Sequence, residues 1–346
     1  MVIRTSGAPH LGLGHLMRSL ALGEAFADAG WSVVFYATVP AFLQERFTGV
    51  TVLSPAHDEH DLLQDWTDPH WLDCVQSADV VVGDLYALTA DWQRSCQQAK
   101  PGRLVMVSDP PLGDFQCDLM VLPTVFDLTV VANLPQEIPL LTAPQHALIG
   151  KPVRALRQGA KTGQRLLISC GGGNDLGLAA RCLRALVADS ALASVQGTVV
   201  LGLLPAPARD EVLALAAGLP GLEVREQVAD MASLCAGHDV AFGTPAGAAL
   251  ERACLGLAQV LVPIVDNQLA LGRGLQACGV ATVLPLGADE QAIATALRAM
   301  LQNPAARQAQ AATACRVLDG GGAAAVVYAV STTFFPSDDG QAPDVS

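Results

Sequence analysis

The sequence predicts an α/β protein built from two Rossmann-like, doubly wound domains. The length of 346 residues exceeds the roughly 250–300 residues that one hydrophobic core usually serves. Short apolar segments alternate with longer amphipathic ones, as expected where helices connect parallel strands. After an aperiodic stretch, a fresh strand, glycine-rich turn and helix begin near Arg165. This restart indicates a second α/β unit.

Ten short apolar runs predict the strands. Most are continuous in Val, Leu and Ile instead of alternating with polar residues, which is typical of strands buried on both faces of a parallel sheet. The runs are Val2–Arg4, Ser32–Ala37, Asp79–Gly83, Leu104–Ser108, Leu119–Leu122, Leu166–Cys170, Thr198–Leu201, Asp239–Phe242, Val260–Pro263 and Ala281–Leu284.

Breaks in the pattern predict the domain boundaries. Proline and basic residues replace apolar periodicity before Gly163, so the interdomain linker is expected over 146–163. The N-terminal domain would then cover 1–145 and the C-terminal domain 164–330. The end of the chain, 335–346, is polar and contains proline, so we expect a disordered tail there.

Composition restricts the partners. The chain has 33 acidic and 20 basic residues, a formal net charge of −13, and no long basic run, which disfavours nucleic acid or anionic lipid as partners. Nine cysteines without a CxxC pair are typical of reduced cytosolic thiols, so we expect no metal site. Lacking an evident signal peptide or membrane-spanning run, the protein is expected in the cytoplasm, as a monomer or weak dimer.

The strongest local signal is Gly12-Leu13-Gly14-His15, which lies between the first strand and a helical segment ending near Gly30. Glycines after a strand let the backbone approach a ligand, and the following helix directs its free N–H groups to the same point. The segment lacks the third glycine of the dinucleotide fingerprint. His15 is therefore a candidate catalytic residue, with helix capping or packing as the alternative.

Two further turns predict binding sites in the second domain. The run Cys170–Asp175 contains three glycines that can hold a phosphate, or it is a tight turn capped by Asn174 or Asp175. The small-residue turn at Gly247 leads into a helix that carries Glu251, a candidate acceptor for ribose hydroxyls. Each turn also has a purely structural explanation.

Together these motifs resemble a known family, the nucleotide-sugar hydrolases of pseudaminic acid biosynthesis. Those enzymes are similar in fold to the glycosyltransferase MurG, so the resemblance implies a GT-B type fold with two domains facing a cleft. It covers roughly residues 1–328. Its motifs are Gly12-x-Gly14-His15-x-x-Arg18, Asp84-Leu85-Tyr86, the glycines before Asp175, Glu251-Arg252-x-Cys254-Leu255-Gly256-Leu257, Asn267-Gln268 and Asp319–Ala323.

The resemblance implies removal of UDP from a 2,4-diacetamido-2,4,6-trideoxyhexose by water, with no cofactor and no metal. His15 matches the catalytic histidine, and Asp84 and Tyr86 are expected beside it. An imidazole with an unperturbed pKa of about 6.5 can orient or deprotonate water at neutral pH. The implied binding residues are Gly12, Gly14, Arg18, Gly171, Gly172, Asp175, Gly247, Glu251, Asn267 and Gln268. The family's hydroxyl-bearing turn is replaced here by Ala246–Ala249.

Two other functions fit the same motifs. A glycosyltransferase would pass the sugar to an acceptor from the same nucleotide site, and a non-catalytic homologue would bind the nucleotide-sugar without turnover. The fate of the sugar separates the three.

Overall fold

A computed structural model describes residues 1–8, 13–57, 62–100, 102–110, 113–127, 129 and 137–336. The chain forms two compact units. The first comprises residues up to Lys151 together with the segment from Gly320 onward, and the second comprises Pro152–Asp319. Each unit is built around its own parallel sheet, which confirms the predicted α/β fold class.

The first sheet has seven strands and the second has six, in the orders β3-β2-β1-β4-β5-β6-β7 and β10-β9-β8-β11-β12-β13. In both, the strand order reverses beside the first strand of the unit, as in doubly wound folds. The strands are β1 (Val2–Ser6), β2 (Val34–Thr38), β3 (Thr51–Leu53), β4 (Val81–Gly83), β5 (Leu104–Val107), β6 (Leu119–Leu122), β7 (Leu140–Thr142), β8 (Leu166–Ser169), β9 (Gly197–Leu201), β10 (Leu222–Glu226), β11 (Val240–Gly243), β12 (Ala258–Leu261) and β13 (Thr282–Val283).

Twelve α-helices connect the strands in the described residues, with two 3₁₀ helices at Ala41–Phe47 and Leu62–Thr67. The α-helices are α1 (Gly14–Asp28), α2 (Pro69–Ser77), α3 (Ala90–Ala99), α4 (Lys151–Ala155), α5 (Leu178–Ala188), α6 (Ala206–Ala217), α7 (Met231–Ala236), α8 (Gly247–Cys254), α9 (Gln268–Ala277), α10 (Glu290–Gln302), α11 (Pro304–Val317) and α12 (Gly322–Phe334).

The core of the first unit lies on both faces of its sheet. On one face, Leu16 of α1 and Val326 of α12 belong to the same buried cluster as Ile3 of β1. On the other face, Trp71 and Trp92 of α2 and α3 are fully buried in a second cluster. The continuously apolar strands are therefore buried on both faces of the sheet, as the sequence predicted.

The last helix belongs to the first unit, whereas the sequence pattern predicts that residues 164–330 form the second domain. The apolar side of α12 packs against the α1 face of the first sheet. The predicted linker 146–163 includes the short helix α4, and the division between units falls at Lys151. Phe335, predicted to begin a disordered tail, contacts the Trp31 ring at 5.5 Å between centroids. Residues 337–346 lie outside the described part.

One stretch, Pro304–Phe334, is long and apolar enough to cross a membrane by length and composition alone, and 39% of its most apolar window is buried. Core helices of soluble proteins meet the same criterion. Here the stretch is divided into α11 and α12 by the turn at Gly320, which has a φ of +87°. The nine cysteines are all free thiols.

Candidate functional site

The polar cluster of the first unit lies at the carboxyl edge of its sheet. His15 is the second residue of α1, Asp84 directly follows β4, and Asp109 and Thr124 follow β5 and β6 by two residues each. Carboxyl ends of parallel strands meet at one edge, the usual ligand side of such sheets. Residues separated by more than 100 positions are thereby brought together.

His15 and Asp84 form a buried hydrogen-bonded pair. His15 Nδ1 lies 2.7 Å from Asp84 Oδ1, and both residues are almost fully shielded from solvent. Burial by itself raises the pKa of Asp84, but the guanidinium of Arg18 and the imidazole of His15 hold it at about 2. An ionised carboxylate only accepts hydrogen bonds, so the contact with Asp84 favours the tautomer with its proton on Nδ1 and a lone pair on Nε2. Arg18 Nη2 also lies 3.0 Å from the same Nδ1. Among the described residues, Nε2 has no hydrogen-bond partner.

Arg18 ties the cluster together. Its Nη2 and Nε donate to Asp84 Oδ1 and Oδ2 at 2.6 and 2.9 Å, and its Nη1 donates to Asp109 Oδ2. Burial lowers the pKa of Arg18, but the two carboxylates outweigh it and raise that pKa above its ordinary value. Ser19 adds a hydrogen bond from its hydroxyl to Asp84 Oδ2 at 2.8 Å. The Asp84 carboxylate is therefore held from three directions.

Tyr86 lies against the imidazole of His15. The two rings meet edge to face, with centroids 4.5 Å apart and planes at 90°. The Tyr86 hydroxyl lies 3.4 Å from Asp109 Oδ2, and Asp109 also accepts a hydrogen bond from Thr124. With 57% of its surface exposed, Tyr86 is accessible to a ligand at this edge.

In the second unit, helix α8 begins without a side-chain cap. Its N-cap residue Ala246 makes no side-chain capping bond, and no acidic residue lies in the first turn. A Cβ at Gly247 would meet no atom within 4 Å, and the φ of Gly247 lies outside the left-handed region. The free N–H groups of this helix start can donate hydrogen bonds to an anion. Glu251 lies one turn further along α8, partly buried.

The glycines after β8 permit a close approach between two loops. Gly171 has a φ of +116°, and a Cβ on Gly202 would lie 2.5 Å from the Gly171 carbonyl oxygen. The Gly172 carbonyl accepts a hydrogen bond from Leu203 at 2.9 Å. Asp175 accepts backbone N–H groups at the start of α5, at 2.9 and 3.0 Å. These two bonds place the Asp175 carboxylate at the start of α5, although the N-cap residue is Gly177.

The remaining predicted pair lies where β12 leads into α9. Asn267 is exposed at the N-cap of α9 and makes no side-chain capping bond. The Gln268 Oε1 atom accepts the Ile264 N–H at 2.9 Å. Gln268 thus shapes the turn, and Asn267 presents its amide to solvent.

Comparison with solved structures identifies the fold. MurG from Acinetobacter baumannii superposes with a TM-score of 0.61 and 16% identity, covering 96% of this chain and 99% of its own. The spinosyn rhamnosyltransferase SpnG complexed with thymidine diphosphate gives 0.62 and 19%, covering 95% and 99%. A glycosyltransferase from Rickettsia africae gives 0.66 and 10%, covering 97% and 99%.

The chain has the GT-B fold. Identities this low show shared architecture alone, because one fold hosts many chemistries. No protein-family model matches the chain. No curated protein sequence matches it.

Within this GT-B fold, the structure brings together four of the predicted residues, namely His15, Arg18, Asp84 and Tyr86. Gly14 is the first residue of α1, with open space where a Cβ would lie. Gly12 lies outside the described residues. The predicted residues of the second unit all lie at or near the carboxyl ends of strands β8, β11 and β12. They are Gly171, Gly172, Asp175, Gly247, Glu251, Asn267 and Gln268.

Sequence reasoning did not assign three members of the first-unit cluster. Asp109 directly follows the predicted run Leu104–Ser108, and Thr124 lies two residues beyond Leu119–Leu122, so the carboxyl-edge rule was a usable signal for both. Ser19 lies four residues after His15, on the same face of α1. In the part of the chain that the structure describes, no group of three or more His, Cys, Asp or Glu side chains is arranged to hold a metal ion.

Proposed function

We propose that the chain hydrolyses a UDP-linked sugar of the 2,4-diacetamido-2,4,6-trideoxyhexose class to free sugar and UDP. The observation that carries the proposal is the buried Asp84–His15 pair. With Asp84 ionised, this contact favours an imidazole protonated on Nδ1, which leaves the Nε2 lone pair for a proton at the carboxyl edge of the sheet. That is the arrangement required of a general base at neutral pH.

In the proposed reaction, Nε2 of His15 takes a proton from a water molecule while the water oxygen bonds to the anomeric carbon. The bond between that carbon and the diphosphate oxygen breaks, and its electron pair leaves with UDP. The imidazolium that forms is stabilised by the Asp84 carboxylate and later releases its proton to solvent. Tyr86, whose ring contacts His15, is proposed to position the sugar.

The diphosphate is proposed to bind in the second unit at the start of α8. Free N–H groups and the positive end of the helix dipole offset its charge. The turn there lacks side-chain hydroxyls from Ala246 to Ala249, so the binding must come mainly from backbone groups. Glu251 is proposed to accept hydrogen bonds from the ribose hydroxyls.

A glycosyltransferase is the second candidate, favoured by fold neighbours that include MurG and a rhamnosyltransferase. In that case the same Nε2 would deprotonate an acceptor hydroxyl in place of water. Proton NMR of the protein with a UDP-sugar alone separates the two. Release of free reducing sugar supports hydrolysis, whereas turnover only after an acceptor is added supports transfer.

His15→Ala tests the proposal directly. We expect a loss of roughly 10²–10⁴ in rate, the usual contribution of a general base, with UDP affinity within a few-fold of the parent. His238→Ala is a matched control, because His238 is also buried but bonds to Leu234 and Thr198 away from either site. Turnover within threefold of the parent in His15→Ala removes His15 from the mechanism.

A further inference from the structure

Arg252 of α8 is a buried cation at the carboxyl edge of the second sheet. The residue is 2% exposed. Its Nε donates to Gln259 Oε1 at 2.9 Å, and its Nη1 and Nη2 donate to the carbonyl oxygens of Ser169 and Thr244 at 3.5 and 3.4 Å. In the described part of the chain, the guanidinium therefore donates hydrogen bonds only to neutral acceptors.

The charge of Arg252 is poorly compensated. No carboxylate oxygen of the described residues lies within 4.0 Å of its guanidinium. Burial lowers the pKa of Arg252 below the ordinary arginine value, and the more distant Glu251 carboxylate only partly offsets this. Burying a cation without a counter-charge is costly, so buried charges are usually paired. An anionic ligand nearby would offset that cost.

The carbonyl partners of Arg252 lie at the bases of the two loops that flank the edge. Ser169 is the last residue of β8, directly before the glycine loop, and Thr244 directly follows β11, two residues before the α8 turn. Ser169 and Gly243 are paired in the sheet register. A Cβ on Gly243 would lie 2.1 Å from the Ser169 carbonyl oxygen and 3.3 Å from Arg252 Nη2, so the glycine leaves the space for this arrangement.

We propose that Arg252 is the positioning residue of the anion site in the second unit. Its hydrogen bonds hold the glycine loop, residues 170–175, in place relative to the α8 turn. Its positive charge stabilises a diphosphate group bound to the loop and the turn. The inference rests on the proposed nucleotide binding and adds a residue to which the resemblance gave no role. The guanidinium acts through its charge and through the backbone it holds, without touching the ligand.

Two substitutions separate charge from shape. Arg252→Lys keeps the positive charge but loses the planar set of donors, whereas Arg252→Gln keeps a neutral donor and loses the charge. We expect Arg252→Gln to weaken both UDP and inorganic pyrophosphate at least tenfold and to leave uridine affinity unchanged. Arg252→Lys should retain pyrophosphate affinity within about threefold, because an ammonium still provides the field.

Arg307→Gln is the matched control. Arg307 is likewise 2% exposed and donates to backbone carbonyls of Met300, Leu301 and Thr162, which lie at the end of α10 and before β8. Losing this buried cation should lower thermal stability without changing the ratio of UDP to uridine affinity. That ratio is the readout that a purely structural role of Arg252 would not change.

Titration calorimetry of the folded variants, confirmed by circular dichroism, gives the result. If the parent binds UDP and pyrophosphate but Arg252→Gln binds them equally well, Arg252 has no part in the site and the proposed function stands. Equal weakening in Arg252→Gln and Arg307→Gln also overturns the inference. If the parent binds neither anion, the inference and the proposed nucleotide binding fail together. If Arg252→Gln does not fold, loss of pyrophosphate affinity in Arg252→Lys overturns the electrostatic role, and retention supports it.

Discussion

Replacing Asp84 with asparagine tests the tautomer on which the proposed mechanism depends. The amide of asparagine presents both a donor and an acceptor to His15 Nδ1, so the imidazole is no longer held with Nδ1 protonated. If Nε2 acquires the proton, it cannot act as a base. We therefore expect turnover of a UDP-sugar to fall by roughly 10²–10⁴.

The cost in stability follows from the surroundings of Asp84. Although burial opposes ionisation, Arg18 and His15 lower its pKa from 3.8 to about 2, and each pKa unit corresponds to about 1.4 kcal/mol. The carboxylate thus contributes roughly 2–3 kcal/mol of interaction relative to its protonated form. Asp84→Asn also leaves Arg18 with one carboxylate instead of two, so we expect destabilisation of about 2–4 kcal/mol. Urea unfolding measures it.

Asp65→Asn is the control, because Asp65 is also fully buried and bonds to an arginine and a histidine. Its Oδ2 accepts from Arg4 Nε at 2.9 Å and its Oδ1 lies 2.8 Å from His57 Nε2. A similar loss of stability with normal turnover is expected in this variant. Nitrogen-15 NMR of the His15 ring reports the tautomer independently of activity. If folded Asp84→Asn retains Nδ1 protonation and parental turnover, the argument for the dyad is refuted.

Three further predictions follow from the same sites. The contribution of Asp84 to stability is fully present above pH about 4 and is lost as pH falls towards its folded pKa of about 2. The parent should therefore lose its stability advantage over Asp84→Asn between these pH values. A difference in unfolding free energy that stays constant over this range would contradict the lowered pKa. Turnover should survive EDTA, because the described residues offer no metal cluster; recovery of chelated protein on adding magnesium or manganese would show otherwise. Ala246→Ser combined with Gly247→Ser should tighten UDP roughly tenfold, since a hydrogen bond to a charged phosphate contributes about 1.5–3 kcal/mol and Gly247 tolerates a Cβ; unchanged affinity by calorimetry would mean that the phosphates do not bind this turn.

The sequence determined every central strand, but it revealed only β13 among the four edge strands. All ten predicted runs are strands in the structure, and the three that were missed are β3, β7 and β10. These three lie at sheet edges and are only partly buried. A central strand covered on both faces must be continuously apolar, which the sequence shows. A strand with one open edge needs no such run, so it carries a weaker signal.

The sequence also predicted the position of His15 at the carboxyl edge of the first sheet, because glycines and a histidine at a helix start after a strand indicate such an edge. Only the tertiary structure decided which side chains from other segments contact the residues of α1. Asp109 accepts hydrogen bonds from Arg18, Tyr86 and Thr124 because parallel strands bring their carboxyl ends to one edge regardless of separation along the chain. Likewise, α12 packs on the first unit because α1 and the first sheet bury its apolar face. Local patterns encode burial and helix starts, whereas contacts between distant segments depend on strand order, which the sequence alone leaves open.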